Sequence, residues 1–93
     1  MQAKIITYII GHLSIAEQNQ FRKKLIGHND RSHGGKYNYR RMGLLDKIKH
    51  IKPNRGTIIA PAKEADEIIK LLKDYNAKTV YYDIQISEKE FNK

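Results

Sequence analysis

The residues best suited to binding or catalysis in this chain lie in one stretch, from Gly27 to Arg41, called here the basic segment. It combines arginine, lysine, histidine and tyrosine, and it has neither a long apolar run nor a helical period. Cations attract phosphate groups, and tyrosine rings offer flat surfaces on which nucleic-acid bases stack. The side chains predicted to make these contacts are Arg31, Lys36, Tyr37, Tyr39, Arg40 and Arg41. We therefore expect the basic segment to bind nucleic acid and the rest of the chain to position it.

The positive charge of the chain is concentrated in its first part. The 93 residues carry a formal net charge of +8. Residues 1–56 hold twelve lysines and arginines against three acidic residues, whereas residues 57–93 hold six lysines against seven acidic residues. Charge polarised in this way is typical of a surface that binds a polyanion. Beyond the basic segment, the predicted path continues through Lys47, Lys49, Lys52 and Arg55.

Two histidines and an aspartate within the basic segment suggest an alternative, catalytic role. His28, Asp30 and His33 form a His-x-Asp-x-x-His pattern. Histidine acts as a general acid or base near neutral pH, and a nearby carboxylate can orient it, so this pattern would suit a metal-independent ribonuclease. The same side chains are also potential ligands of a divalent metal ion. Their ordinary roles are phosphate contact, turn formation or helix capping, and we predict neither a metal nor a cofactor from this spacing.

Composition excludes several classes of protein. The chain has no cysteine, so neither a disulfide framework nor a thiolate metal site is available. The Gly34-Gly35-Lys36 sequence lacks the spacing of the phosphate-binding loop of nucleotide triphosphatases. No apolar run approaches the ~20 residues of a membrane-spanning helix. We therefore expect a cytoplasmic protein with no membrane partner, and no motif is specific enough to name a family.

Hydrophobic periodicity and capping signals divide the chain into strands and helices. The first strand, Lys4–Ile10, and a short later strand, Thr57–Ala60, are apolar on both faces. The spacing of Ser14 and Glu17 is that of a capping box, which marks the start of a helix. The other predicted elements are helices over 15–26 and 62–75, alternating strands over 36–40 and 78–86, and a short helix around 43–51.

This order predicts an α+β, ferredoxin-like β-α-β-β-α-β sandwich with an antiparallel sheet and two main helices. In that fold the first and third strands are central, and here those two strands are apolar on both faces. The alternating second and fourth strands would form the edges. We expect one domain over residues 1–86, with the basic loop and edge strand at 27–41, and a frayed polar tail over residues 87–93.

These features predict a small, basic, non-enzymatic protein that binds nucleic acid, with RNA slightly ahead of DNA. The alternatives are the ribonuclease that uses His28 and His33, and an adaptor whose basic face binds an acidic protein partner. A homodimer is also expected. Tyr81, pointing outward beside Thr79 on the last edge strand, would allow that strand to pair with its twin.

Overall fold

The chain folds into two helices, six strands and two short 3-10 turns over the part that the computed structural model describes. This part comprises residues 1–32 and 37–92, apart from the side chains of residues 31, 32 and 37. The strands are β1 (Gln2–Ile9), β2 (Gly27–Ser32), β3 (Tyr37–Met42), β4 (Ile51–Asn54), β5 (Thr57–Pro61) and β6 (Lys78–Gln85). The helices are α1 (Ile15–Ile26) and α2 (Ala62–Asp74), and the 3-10 turns are Leu44–Lys47 and Glu88–Asn92. The predicted α+β class with two main helices is confirmed.

Four strands form the main sheet, in the order β4-β5-β1-β6, and each neighbouring pair is antiparallel. The apolar strands β1 and β5 occupy the two central positions, as predicted. Both helices pack against the same side of this sheet and enclose the core with it. The other side carries Ile5, Ile59 and Tyr82, which are paired in register across three strands, and is called here the open face.

The core lies between the main sheet and the two helices. Its large, fully buried side chains are Phe21, Ile6, Leu25, Ile58, Ile68 and Leu72. On α2, the predicted apolar stripe is buried, because residues three and four apart lie on one side of a helix. The aromatic ring of Phe21 meets that of Tyr8 edge-on, with 5.6 Å between the ring centroids. This packing holds α1 against the central strand β1.

The end of α1 nearest Leu13 is held by its cap more than by its packing. Among its described residues α1 buries only Phe21 and Leu25, in keeping with its weak apolar period. The predicted capping box is confirmed: Ser14 Oγ accepts a hydrogen bond from the Glu17 N–H at 3.1 Å, and Glu17 Oε1 accepts one from the Ser14 N–H at 3.3 Å. These two bonds satisfy backbone donors that have no partner inside the helix.

The strand predicted at the edge of the main sheet lies elsewhere, so that prediction is wrong. Strand β3 pairs with β2 in a separate two-stranded hairpin, called here the arm. The edge position is taken by β4, which follows the Leu44–Lys47 turn. Alternation within a strand shows that one side differs from the other, but it does not identify the partner strand. The arm is therefore an insertion between α1 and the edge of the main sheet.

The helices cover the side of β6 opposite to the one that the outward position predicted for Tyr81 implies. The row of β6 that contains Val80 and Tyr82 lies on the open face, and these side chains are 51% and 64% exposed. Ile9 of β1 is 63% exposed. Tyr81, expected to point outward, is 44% exposed but stands on the helix side, with the Lys4 ammonium 5.2 Å from its ring centroid. The alternation was predicted correctly, but the side that the helices cover was not.

The structures of residues 43–51 and of the C-terminal tail agree with their predictions only in part. Of the short helix expected around 43–51, the structure has only the 3-10 turn Leu44–Lys47, which buries Leu45, and Ile51 belongs to β4. The tail, expected to fray, forms a second 3-10 turn over Glu88–Asn92. Among the described residues, the helices are too short and too polar for any of them to cross a lipid bilayer.

Candidate nucleic-acid interface

A glycine joins α1 directly to the arm. Gly27 caps the helix, where its N–H donates to the Lys23 carbonyl oxygen, and it is also the first residue of β2. Its φ of +84° lies in the region that favours glycine. A Cβ at this position would lie 2.5 Å from the Arg41 carbonyl oxygen. Glycine is therefore needed here both for its backbone conformation and for the close approach of β3.

Arg40 fastens the base of the arm to the rest of the molecule. Its Nη2 donates to the Ile26 carbonyl oxygen at 2.7 Å and to Asp46 Oδ2 at 2.9 Å. The same carboxylate oxygen accepts a hydrogen bond from the Gly43 N–H at 2.7 Å. That bond, together with the Arg40 charge, holds the pKa of Asp46 below its ordinary value despite partial burial. Arg40 was predicted to contact phosphate, but its guanidinium bridges α1 and the 3-10 turn.

Arg41 and Tyr39 form the described aromatic and cationic surface of the arm. The Arg41 Nε lies 3.2 Å from Asp30 Oδ2, and its guanidinium carbon lies 6.0 Å from the centroid of the Tyr39 ring. The Arg41 and Asp30 side chains are 60% and 50% exposed, so solvent screens this ion pair. Tyr39 is half exposed. Its ring is accessible for stacking beside an arginine whose charge is partly balanced.

The proposed catalytic histidine pattern is not assembled within the described residues. Asp30 is paired with Arg41. His28 Nδ1 is buried and has no hydrogen-bond partner there. His33 lies outside the described residues, as does Lys36, and so do the side chains of Arg31 and Tyr37. Across the described part of the chain, no group of three histidine, cysteine or acidic side chains is arranged to hold a metal ion.

Three cations that the sequence separates line one cleft, called here the cationic cleft. Its volume is about 580 Å³, and Arg22 of α1, Lys52 of β4 and Arg55 of the following turn lie on its wall. Apolar and aromatic side chains, including Tyr8 and Phe21, form the rest of the lining. Among the described residues that line it there is no carboxylate. Because Tyr8 and Phe21 are buried in the core, the exposed apolar part of the lining comes from Ile9 and Ile26, and the cleft combines positive charge with aliphatic surface.

Lys52 is held in place within the cleft. Its Nζ donates to the carbonyl oxygens of Asn54 and Arg55 at 2.9 Å and 2.7 Å, and it lies 5.7 Å from the centroid of the Tyr8 ring. Burial, and then the charge of Arg55, lower the pKa of the Lys52 ammonium. The ammonium is thus positioned by carbonyl dipoles, with a second cation beside it.

Tyr8 also holds the turn that contains Arg55 and Gly56, through two hydrogen bonds. Its hydroxyl donates to the Arg55 carbonyl oxygen at 2.8 Å, and its backbone N–H donates to the Gly56 carbonyl oxygen at 2.9 Å. Burial raises the pKa of the Tyr8 hydroxyl, and the charge of Arg22 opposes this only in part. The hydroxyl therefore stays protonated and continues to hold the turn that carries Arg55.

The cationic cleft adjoins the base of the arm. Ile26 lines the cleft, and its carbonyl oxygen accepts the hydrogen bond from Arg40. Lys49, in contrast, lines a different cavity, which also contains Glu64 and Glu88. Lys52 and Arg55 thus lie together in the cleft, whereas Lys49 shares its cavity with Lys63 and the two acidic side chains. Lys47 is exposed on the 3-10 turn.

Sequence reasoning missed Arg22. Thirty residues separate it from Lys52, and it was counted only as part of the charge of the first half. Only the packing of α1 against β1 brings it to the turn after β4. No local pattern in the sequence indicates that Arg22 lies near Lys52.

Searches of protein-family models, of curated proteins and of solved structures find no match to this chain.

The role of Arg40 predicts an asymmetry between two adjacent arginines. Arg40→Ala removes the bridge from Ile26 to Asp46, so we expect the melting temperature to fall by about 4–8 °C. Arg41→Ala removes only an exposed ion pair and serves as the matched control, with a fall of about 2 °C or less. Differential scanning calorimetry measures both values. Equal shifts in the two variants would contradict the assignment of Arg40 as the fastening residue.

The lowered pKa of Asp46 predicts a pH dependence of stability. As the pH falls below the ordinary carboxyl value of 3.8, the unfolded chain takes up the proton first. The contribution of Asp46 is therefore complete above that pH and is lost as the pH falls through its lowered folded-state pKa. Asp46→Asn should be less stable than the wild type at pH 6, and the difference should narrow towards pH 2. Urea midpoints at several pH values measure this, and a constant difference would refute it.

Proposed function

We propose that the protein binds nucleic acid through the cationic cleft and the adjoining arm. The observation that carries the proposal is the convergence of Arg22, Lys52 and Arg55 on one cleft that no described carboxylate lines. Cations gathered without a counterion repel each other, and a phosphate group placed among them would relieve that repulsion. Binding of phosphate and protonation of Lys52 would therefore favour each other.

The composition of the cleft supports a polynucleotide over a simple anion. Phosphate contacts come from two arginines, whose planar guanidinium groups match phosphate oxygens in pairs. Beside them the exposed lining is aliphatic, from Ile9 and Ile26, which are 63% and 43% exposed, because Tyr8 and Phe21 are buried in the core. A ligand that presents an anionic backbone and the apolar faces of bases complements both halves of this lining.

The arm extends the same interface. It begins at Gly27, next to the cleft residue Ile26, and it carries the half-exposed Tyr39 with Arg41 close to its ring. Exposed tyrosine beside a cation suits the stacking of single-stranded bases. A two-stranded ribbon also fits the major groove of B-form DNA. We propose single-stranded RNA as the first ligand to test, with duplex DNA as the comparison.

We further infer that the main sheet and helices form a ferredoxin-like sandwich. Counted among the four strands of the main sheet, β1, β4, β5 and β6 are first to fourth, and their spatial order is second, third, first, fourth. The arm and the 3-10 turn are inserted between α1 and the second of them. This topology agrees with a β-α-β-β-α-β unit. It supports the fold alone, because one fold serves many functions.

The other two functions receive less support. A ribonuclease would need a carboxylate free to orient a histidine, and Asp30 is instead paired with Arg41. An adaptor for an acidic protein would use the same cationic cleft, but it would have no need of the exposed Tyr39 ring. The binding experiment separates these functions through its ligands.

The proposal predicts salt-dependent binding that depends on the cationic cleft. With three cleft cations and Arg41 each contacting one phosphate of single-stranded RNA, log Kd should change with log salt with a slope of about 3. Arg22→Gln/Arg55→Gln should weaken binding about tenfold or more and reduce the slope by about 1.4. Fluorescence anisotropy with labelled single-stranded RNA and duplex DNA at several salt concentrations measures both quantities.

Lys70→Gln/Lys73→Gln is the matched control, because it removes the same charge from exposed positions of α2. We expect it to change affinity about twofold or less. Equal losses in the two double variants would mean that net charge alone attracts the nucleic acid, and the cleft would no longer explain binding. Salt-sensitive capture of an acidic protein, with no RNA or DNA affinity, would favour the adaptor instead.

Stacking on the arm gives a prediction that does not involve charge. Tyr39→Ala should raise the Kd for single-stranded RNA about 5- to 150-fold, the range expected for the loss of one stacked base. The salt slope should stay unchanged, because no phosphate contact is removed. Tyr39→Phe keeps the ring and should bind like the wild type. Unchanged affinity in Tyr39→Ala would remove the arm from the interface.

A further inference from the structure

One end of the open face of the main sheet is an exposed apolar surface, whereas at the other end Ala3 is only 1% exposed. Ile5 is paired with Ile59 on one side and Tyr82 on the other, so these three side chains stand on the same side of the sheet. Val80 and Ile9 extend the row towards one end. Tyr82, Val80 and Ile9 are 64%, 51% and 63% exposed, and in the described part of the chain no helix covers this side.

The exposure of β6 conflicts with its own sequence. Val80, Tyr82 and Ile84 alternate with polar residues, a pattern typical of a strand with one buried side. In the folded chain, this apolar side is the one turned away from the helices. Contiguous exposed apolar surface of this kind marks an interaction site. The sequence is therefore that of a sheet covered on both sides, whereas the single chain supplies only one cover.

Charge narrows the choice of partner. By register, the open-face positions of β1, β5 and β6 include one charged residue, Lys78, which pairs with Ile9 at the border. A polyanion would find almost no cations there, so the open face does not suit nucleic acid. A second copy of this chain suits it, because two neutral faces can meet without burying like charges, even though each copy carries a net +8.

The area of the open face is that of a small contact. Strands β1 and β6 have eight residues each, whereas β5 and β4 have five and four. At about 3.3 Å per residue and about 4.8 Å between strands, the footprint is roughly 400 Å² per copy. A pair of copies would then bury about 800 Å² in total, which is the size of a weak, reversible contact. Tyr82 lies midway along the edge strand β6 and offers a large, exposed, amphipathic side chain, a type common among the residues that dominate binding energy.

We propose that the protein is a homodimer in which the open faces of two copies pack against each other around a two-fold axis. The two sheets would lie about 10 Å apart, as in other face-to-face sheet packings. This arrangement differs from the edge pairing through Tyr81, which would leave Val80 and Tyr82 bare. It does not depend on the proposed function. Ile9 borders both surfaces, whereas Arg22 and the Lys52 ammonium lie on the helix side, so these cations of the cleft stay outside the contact.

Sedimentation velocity over a range of protein concentrations tests the proposal. As its concentration rises, the wild type should shift from the monomer towards a dimer of about twice the 10.9 kDa chain mass. Val80→Glu/Tyr82→Glu places carboxylates in the contact, so its dimer dissociation constant should rise about a hundredfold. Ile15→Glu is the matched control, since Ile15 is also apolar and 77% exposed but lies on α1. It should dimerise as the wild type does.

Far-UV circular dichroism and thermal unfolding check that each variant is folded. Should the double variant fail to fold, Tyr82→Ser removes the exposed Tyr82 ring without adding charge, and this variant should still weaken the dimer. A wild type that is monomeric at all concentrations would overturn the proposal. So would a folded double variant that dimerises as well as the wild type, because the contact would then lie elsewhere.

Discussion

The hydrogen-bonded group at the end of α1 is the interaction on which the candidate interface depends. Arg40 joins the last carbonyl of the helix to Asp46, and Asp46 in turn binds the N–H of Gly43. Three elements meet there: the helix that carries Arg22, the arm, and the 3-10 turn that leads into β4. A two-stranded hairpin is only marginally stable by itself. Its direction is set by this one group of contacts.

The three acidic residues of the basic part of the chain explain why the cationic cleft has no counterion. Glu17 caps α1, Asp46 binds Arg40, and Asp30 binds Arg41. Each carboxylate is therefore engaged in structure elsewhere. The cations that remain without a carboxylate partner, among the described residues, include the three that line the cleft. The net charge indicated a polyanion partner, but only the pairing of charges indicates where such a partner would bind.

Local signals predicted the elements, and long-range contacts decided their roles. The capping box of Ser14, the apolar stripe of α2 and the central position of β1 follow from residue type and period, which act over one or two turns of chain. The place of β3 does not, because an alternating strand pairs equally well with β2 or with the main sheet. Arg22 could not be assigned either, since its neighbours in space are about thirty residues away in sequence.

The open face also shows that local sequence signals do not identify the surface against which a strand packs. The apolar period of β6 was read correctly, and the assumption that its apolar side meets the helices was not. Hydrophobic burial acts on the assembled protein, so a strand can be amphipathic towards a surface that only a second chain supplies. The proposed function and the proposed dimer together would account for this separation of charge. Positive charge gathers beside α1 and β4, where a bound phosphate would relieve the repulsion between cations, and the open face is nearly neutral, so that two copies could meet there without repelling each other.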